Sequence, residues 1–402
     1  MPPLTLAWSN LTQQRLRTLI SVVGVAFAVL LIFMQLGFQD AVRRTATLLY
    51  DKLDFDLVLT STEYSNLARP AAFSRRRLAQ ARAVPGVERV LPLTAVLSLW
   101  TQPRRPTDPE NEPPHKWSIM VLAVDPARLD TLFRRPYPDV FLDEAELRRD
   151  AVQLARLDTV LMDRASSPPY GDVPTWKLAR YNDLNDRRVE IIGNIKVGTG
   201  FAYSGLLMTS ESTLTHLMRW PDDRVSFGLV KLAPGTDVEA ARAEIEARLG
   251  PPQESGVEVR TKPEINAKEI DFWMSGTAVG QFFTAGVVIA LLVGGVFVYQ
   301  MMASDISRRL PEYATVRALG YPRDYLSHVV YWQGFLLAVL GYVPGLAASL
   351  LGYLVTHKFA NVPIEMTAWR ATYVLALTVF MCMGSALVAV RSVHSANPAD
   401  LF

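Results

Sequence analysis

Cysteine, histidine and charge are all scarce in this chain, and each shortage excludes a class of protein. The single cysteine, Cys382, excludes an internal disulfide framework and any metal site with several cysteine ligands. The five histidines are scattered and form no i, i+4 pair, which is not the spacing of a zinc site. Lysine plus arginine (41) nearly balance aspartate plus glutamate (39), so no strong basic field is available to bind nucleic acid.

Motifs for nucleotide or hydrolytic chemistry are also missing. No glycine is followed directly by lysine, so the chain has no phosphate-binding loop of the G-x-x-x-x-G-K-[ST] type. Neither a G-x-S-x-G elbow nor an H-E-x-x-H pair occurs. We therefore expect no catalytic, metal or cofactor site in this chain.

The few charged residues are concentrated in the middle of the sequence. Half of the residues are hydrophobic and the mean hydropathy is +0.15, which is too apolar for an ordinary soluble enzyme. Residues 1–39 contain only two charged residues, Arg15 and Arg17, and residues 272–402 contain twelve. This contrast predicts a soluble domain, residues 40–271, between membrane segments.

Four uncharged windows are long enough to cross a bilayer, which takes about 20 apolar residues. They are residues 18–39, 272–304, 325–356 and 371–390. Soluble core helices rarely run so long without a charge, so the alternative of buried soluble helices is disfavoured. The first window is longer than a signal-peptide core and is not followed by a small-x-small cleavage pattern, so we interpret it as an uncleaved anchor.

The short loops predict the orientation of the spans, because lysine and arginine favour the cytoplasmic side. The loop 305–324 carries four arginines, and the amino-terminal flank carries Arg15 and Arg17 with no acidic residue. We therefore expect both termini and loop 305–324 in the cytoplasm, with the tail 391–402. Residues 40–271 and the short loop 357–370 are then extracytoplasmic.

The extracytoplasmic segment has a mixed α/β pattern. Residues 54–60, 87–100 and 118–124 read as strands, rich in Val, Leu and Thr. A helix is predicted over 233–249, with Asp237 as its N-cap and Gly250 at its end, between strands 227–232 and 257–261. Two proline-rich stretches, 103–114 and 166–174, are predicted exposed loops.

Residues 1–17 are predicted to form an amphipathic helix in the membrane interface. Leu4, Ala7, Trp8 and Leu11 share one helical face, and Trp8 suits the headgroup level. The alternative is that this segment is the frayed start of the first span.

The spans carry no aspartate, glutamate, lysine or arginine, which argues against coupling to an ion gradient. The glutamines of the spans are expected to form interhelical hydrogen bonds. The two G-x-x-x-G pairs are expected to allow close approach between helices. These residues are Gln35, Gln281, Gln300 and Gln333, and Gly276, Gly280, Gly341 and Gly345. Pro344 is expected to kink the third span.

The loop 304–324 surrounds an apolar set with charged residues and ends at Gly320 and Pro322. This pattern fits a helix parallel to the membrane and fits a solvated connector equally well.

Three motifs resemble one family. They are Glu312-Tyr-Ala-Thr-Val-Arg-Ala-Leu-Gly-Tyr321, Leu340-Gly-Tyr-Val-Pro-Gly345 and the ending Ala396-Asn-Pro-Ala-Asp-Leu-Phe402. The chain resembles DevC-like permeases of the MacB/FtsX-like, mechanotransmitting (type VII) ABC transporter superfamily along its whole length. The resemblance implies a membrane α-helical fold of four transmembrane helices plus an α/β extracytoplasmic domain of the MacB periplasmic-core type.

The family also implies a set of partners. Two permeases form a homodimer in the inner membrane, and two copies of a separate ABC ATPase supply ATP–Mg chemistry. A periplasmic adaptor and a TolC-like outer-membrane channel complete an exporter, here of an amphiphile such as a glycolipid. Nucleic acid is not an expected partner.

The resemblance places ATPase docking on the loop 305–324. The predicted docking residues are Asp305, Arg308, Arg309, Glu312, Tyr313 and Arg317. One position departs from the family, because Gln333 stands where relatives tend to have a glutamate early in the third span.

The sequence supports three other functions less well. An FtsX-like regulator of a cell-wall hydrolase is the main alternative, and the size of the outer domain disfavours it. A receptor would need a cytoplasmic output, and the eleven residues after Arg391 offer none. A membrane enzyme would need a catalytic constellation, which is missing.

Overall fold

The structure is a computed structural model that describes residues 3–13, 15–103, 114–135, 140–141, 143–166, 170, 181–318, 323–360 and 364–395. For residues 310–318, 323–324, 326, 357, 359–360 and 392–395 it describes the backbone alone. The predicted proline-rich loops 103–114 and 166–174 lie mostly outside the described residues.

Helices α1–α12 are Pro3–Gln13, Arg15–Lys52, Arg76–Arg82, Leu129–Leu132, Glu144–Leu154, Glu211–Met218, Val238–Leu249, Pro252–Ser255, Lys262–Met274, Ala278–Ala318, Arg323–Ala360 and Ala368–Ser395. Strands β1–β11 are Leu57–Ser61, Phe73–Ser74, Val87–Thr101, Lys116–Val124, Thr159–Asp163, Tyr181–Leu184, Arg187–Ile195, Leu206–Ser210, Arg224–Val225, Phe227–Leu232 and Val257–Thr261.

The chain divides into two compact units, one of residues 1–41 with 278–402 and one of residues 42–277. In the first unit, four described helices are long and apolar enough to cross a membrane, as the sequence predicts. Their candidate spans are Arg15–Lys52, Ala278–Arg309, Ser327–Thr356 and Ala368–Arg391.

The second span begins later than the sequence predicts. Residues 272–274 belong to α9, which ends where the backbone N–H groups of Ser275 and Gly276 donate to Asp271 O and Phe272 O. The next helix, α10, starts at Ala278. Gly276 therefore lies in the turn between two helices, and the predicted Gly276–Gly280 helix contact is wrong.

Residues 305–318 do not form a separate helix parallel to the membrane. They continue α10, which runs without interruption from Ala278 to Ala318. No glycine lies between Gly295 and the end of this helix, and Pro311 lies within its helical backbone, so the span extends directly into the predicted coupling segment.

Small residues set the packing of the first and third spans. A Cβ atom on Gly341 would lie 2.5 Å from Val25 Cβ, and one on Gly345 would lie 2.7 Å from Val29 Cβ. This close approach confirms the role predicted for the Gly341–Gly345 pair. Pro344 lies inside α11 between these two contacts.

Among the residues that the structure describes, the second unit is built on a nine-stranded mixed sheet in the order β11-β1-β10-β3-β4-β8-β5-β7-β6. The long strand β3 joins its two halves, because residues 87–93 pair with β10 and residues 94–101 pair with β4. Trp100 also pairs with Leu184 of β6, which brings the far end of the sheet back to β3.

The predicted strand–helix–strand unit at residues 227–261 is confirmed. The Asp237 carboxylate accepts hydrogen bonds from the backbone N–H groups of Glu239 and Ala240, which is the predicted N-cap. Ala241, Ile245 and Leu249 form the buried face of α7. Desolvation of this apolar face against the sheet holds the helix in place.

Candidate coupling surface and its anchoring networks

The three predicted docking residues whose side chains are described have different exposures. Arg308 is exposed, and the side chain of Asp305 is 27% exposed. Arg309 is only 3% exposed. Because these residues follow one another on α10, a single turn of helix presents Arg308 to solvent and turns Arg309 inward.

The guanidinium of Arg309 binds the amino-terminal helix. Its Nη1 donates to Asn10 Oδ1 at 2.7 Å, and its Nη2 donates to the Asn10 carbonyl oxygen at 3.2 Å. Its Nε donates to Asp305 Oδ1 at 3.1 Å, one helical turn away. In this conformation Arg309 holds α1 against α10.

The remaining predicted docking residues lie in the continued helix. Glu312, Tyr313 and Arg317 have helical backbone, and their side chains lie outside the described residues. Residues 319–322, with Gly320 and Pro322, also lie outside them.

The amino-terminal helix α1 has a buried edge and an exposed apolar edge. Ala7 and Asn10 are buried, whereas Leu4 is 42% exposed and Trp8 is 51% exposed. An exposed tryptophan beside an exposed leucine is typical of a helix in the membrane interface. The sequence predicts that Ala7 and Trp8 share one apolar face of α1. In the structure Ala7 faces the protein and Trp8 does not.

A second network joins the other ends of the spans. Arg370, at the start of α12, forms an ion pair of 2.7 Å with Asp40 of α2, and its side chain is 8% exposed. Its Nη1 donates to the Glu365 carbonyl oxygen at 2.6 Å and contacts the Tyr353 hydroxyl at 3.4 Å. The Tyr353 hydroxyl in turn donates to the Phe33 carbonyl oxygen at 2.5 Å. The network therefore links α2, α11 and α12.

A third network lies in the second unit, where α2 and α9 pack together. The hydroxyls of Tyr50 and Tyr64 are 2.6 Å apart, and Tyr64 donates to Glu269 Oε1. Glu269 is 0% exposed. Burial raises the pKa of Glu269 to about 7, although the hydrogen bond from Tyr64 opposes this rise.

Two further contacts connect the same helices. Asn266 Nδ2 donates to Asp51 Oδ1 at 2.9 Å, and Lys262 Nζ donates to the Asp51 carbonyl oxygen at 3.5 Å. Helix α2 brings the chain into this unit and α9 takes it out. The two helices are thus joined to each other by side chains inside the unit.

The predicted interhelical hydrogen bonds of Gln35 and Gln333 are not found. Gln35 Oε1 and Gln333 Nε2 are buried without a hydrogen-bond partner among the described residues. A different glutamine makes such a bond, because Gln39 Nε2 donates to Thr284 Oγ1 of α10 at 3.1 Å. Gln300 is exposed.

Sequence reasoning missed the second and third networks. Asp40 directly follows the predicted span 18–39 and Arg370 directly precedes the predicted span 371–390, so opposite charges at the ends of two spans were the available signal. Glu269 lies one turn after the buried Ile265, so an acidic residue on an apolar face was the only signal for the third network.

Comparisons with known proteins agree with this architecture. Residues 18–248 match the family described as MacB-like periplasmic core domain, and residues 284–398 match the FtsX-like permease C-terminal family. No curated protein matches the chain.

The solved structures that are similar to the chain include two extracytoplasmic domains. The first is the extracellular domain of the noncanonic ABC-type transporter YknZ from Gram-positive bacteria, at 13% identity and a TM-score of 0.33, covering 52% of this chain and 98% of that one. The second is the periplasmic region of MacB from Actinobacillus actinomycetemcomitans, at 10% identity and a TM-score of 0.35, covering 52% of this chain and 90% of that one.

The four apolar helices and the α/β unit between the first and second define the class of a multi-pass membrane protein with one large domain outside the bilayer. The MacB-like match covers more than half of the residues. The chain therefore belongs to the MacB/FtsX-like family of ABC transporter permeases.

Proposed function

We propose that this chain is the membrane subunit of an ATP-driven exporter that relays the motion of a separate ATPase to its extracytoplasmic domain. The ATPase docks on the coupling segment, defined as residues 305–318. Two copies of the chain form a dimer with two ATPase subunits, which bind and hydrolyse ATP–Mg. A periplasmic adaptor and a TolC-like channel complete the route out of the cell.

The length of the span helices is the observation that carries this proposal. Helix α10 has 41 residues and α2 has 38. At 1.5 Å per residue they measure about 62 and about 57 Å, roughly twice the hydrocarbon thickness of a bilayer. Helices of this length transmit displacement from one side of a membrane to the other.

The third network supports the outer end of this relay. Because Tyr50, Tyr64 and Glu269 join α2 to α9 inside the second unit, a displacement of either helix acts on both connections of that unit. Burial of this network leaves little freedom to absorb the displacement locally.

An amphiphile such as a glycolipid is the cargo we propose. The described interior of the spans is an apolar cluster that includes Val25, Val29, Ile32, Ala338 and Cys382. This interior suits helix packing and offers no aqueous route for a hydrophilic solute. Cargo taken up outside the bilayer needs no such route.

Charge reversal on the coupling segment tests the proposal. Arg308→Glu should weaken recovery of the ATPase with the full-length permease by about tenfold, because like charges replace opposite ones across the interface. Arg15→Glu is the matched control, an exposed arginine on α2 outside the coupling segment. Equal ATPase recovery with both variants would contradict docking at this surface.

The match to the FtsX-like permease family at residues 284–398 is also compatible with a second function, which is the regulation of a cell-wall hydrolase. The proteins that co-purify with the ATPase–permease complex distinguish the two functions. An adaptor of the membrane-fusion type supports export. Recovery of a cell-wall hydrolase bound to the second unit would contradict export and support regulation.

A further inference from the structure

A cavity of about 270 Å³ lies at the end of the spans nearest the amino-terminal helix. Side chains from α1, α2, α10 and α11 line it. Its polar lining includes Asn10, Arg17, Ser21, Asp305 and Gln333. All of these residues belong to the first unit, so the cavity is a feature of the helix bundle.

Asn10 presents an unused hydrogen-bond donor to this cavity. Its Oδ1 accepts from Arg309 Nη1, which fixes the orientation of the carboxamide. The Nδ2 group is buried and has no partner among the described residues. Asn10 is only 6% exposed, so bulk water does not satisfy this donor.

Gln333 presents a second unused donor. It is 4% exposed, and its Nε2 is buried without a partner among the described residues. A buried amide donor without an acceptor destabilises the folded protein, so two of them lining one cavity indicate a ligand that supplies hydrogen-bond acceptors.

The other polar groups of the cavity do not satisfy these amides. The Ser21 hydroxyl donates to the Arg17 carbonyl oxygen at 2.9 Å, and the Thr18 hydroxyl donates to the Leu11 carbonyl oxygen at 2.6 Å. The Asp305 carboxylate is the acidic group of the lining, and its ion pair with Arg309 offsets its charge. An anionic ligand is therefore compatible with this site.

The surroundings of the cavity favour a lipid as the source of the acceptor. Leu16, Leu19 and Ile20, on the first turns of α2, are 72%, 58% and 46% exposed. Ile20 also lines the cavity. Apolar side chains exposed at the end of a span meet the acyl chains of the bilayer, whose headgroups carry phosphate.

We propose that this cavity binds the phosphodiester of a phospholipid from the leaflet on the side of the chain termini. The carboxamides of Asn10 and Gln333 donate to the phosphate oxygens, and Arg17 lies in the same lining. The acyl chains leave past Ile20 into the bilayer. Gln333 is thus a lipid-binding residue, and α1 is held partly by a bound lipid.

Native mass spectrometry of the delipidated full-length protein tests this site. The probes are phosphatidylglycerol, the phosphate-free lipid monogalactosyldiacylglycerol and inorganic phosphate. Gln333→Leu removes the donor, and Gln333→Glu at pH 8 replaces it with an anion of the same size. Gln300→Leu, at an exposed glutamine of α10 outside the cavity, is the matched control.

We expect one tightly bound phosphatidylglycerol per chain, weakened about tenfold by each Gln333 variant and unchanged by Gln300→Leu. Equal binding by wild type and both Gln333 variants would overturn the site. Equal binding of the phosphate-free lipid would overturn the role of phosphate. Displacement of the lipid by millimolar inorganic phosphate would show a small-anion site in its place.

Discussion

Replacing Glu269 with glutamine should change how the stability of the protein depends on pH. Glu269 is completely buried, accepts a hydrogen bond from Tyr64 and has a pKa raised to about 7. Desolvation is the largest cause of this rise, and the nearby Lys268 opposes it. Glutamine has a similar shape and cannot ionise.

The size of the effect follows from proton linkage. A glutamate in an unfolded chain has a pKa of about 4.3, so the folded protein binds the proton of Glu269 more tightly by about 3 to 4 kcal/mol. This contribution to stability is complete below about pH 4. It is lost as the pH rises through the folded pKa of about 7.

Thermal unfolding of the full-length protein in detergent, followed by intrinsic fluorescence at pH 4.5 and pH 8, measures this change. Relative to wild type, Glu269→Gln should gain about 3 kcal/mol between the two pH values. For the transition of the second unit, residues 42–277, this gain corresponds to about 6 to 12 °C in unfolding temperature. Glu244→Gln, at an exposed site on α7, should follow wild type. Parallel pH profiles for wild type and Glu269→Gln would refute the reasoning.

Two further predictions concern the helix bundle. Arg370→Met should cost about 1 to 3 kcal/mol of stability, because it removes the ion pair between the buried guanidinium of Arg370 and the partly exposed carboxylate of Asp40. In a double-mutant cycle, adding Asp40→Asn to Arg370→Met should cost little more, and additive losses would contradict the pairing. Gly341→Ala should cost about 1 to 3 kcal/mol, because the new Cβ meets Val25. Gly384→Ala has no atom within 4 Å and should be nearly neutral, so equal losses at the two glycines would contradict the packing.

The sequence allowed prediction of the features that depend on local pattern. Uncharged windows predicted the four spans. Asp237 and Gly250 were predicted correctly as the N-cap and the end of α7, whereas the predicted helix range 233–249 began five residues before Val238. Strand 227–232 and strand 257–261 were predicted at their observed residues. Each of these depends on hydrophobicity, capping or turn chemistry within a few residues.

Features that depend on distant residues were not predictable. Tyr64 and Glu269 are 205 residues apart in the chain, and no local pattern connects them. Arg308 and Arg309 are neighbours in the sequence and have the same residues around them. Only the hydrogen bond to Asn10 shows that the side chain of Arg309 is bound within the protein. The continuation of α10 past Ser304 was missed because charged residues mark the end of a span and do not end a helix.

Membrane sidedness of two labelled positions tests the central claim most directly. In a Cys382→Ser background, single cysteines replace Arg308 on the coupling segment and Glu244 on the second unit, both exposed. A membrane-impermeant maleimide should label Glu244→Cys in intact cells and Arg308→Cys only after permeabilisation. Labelling of both positions from the same side would contradict a relay of motion across the membrane.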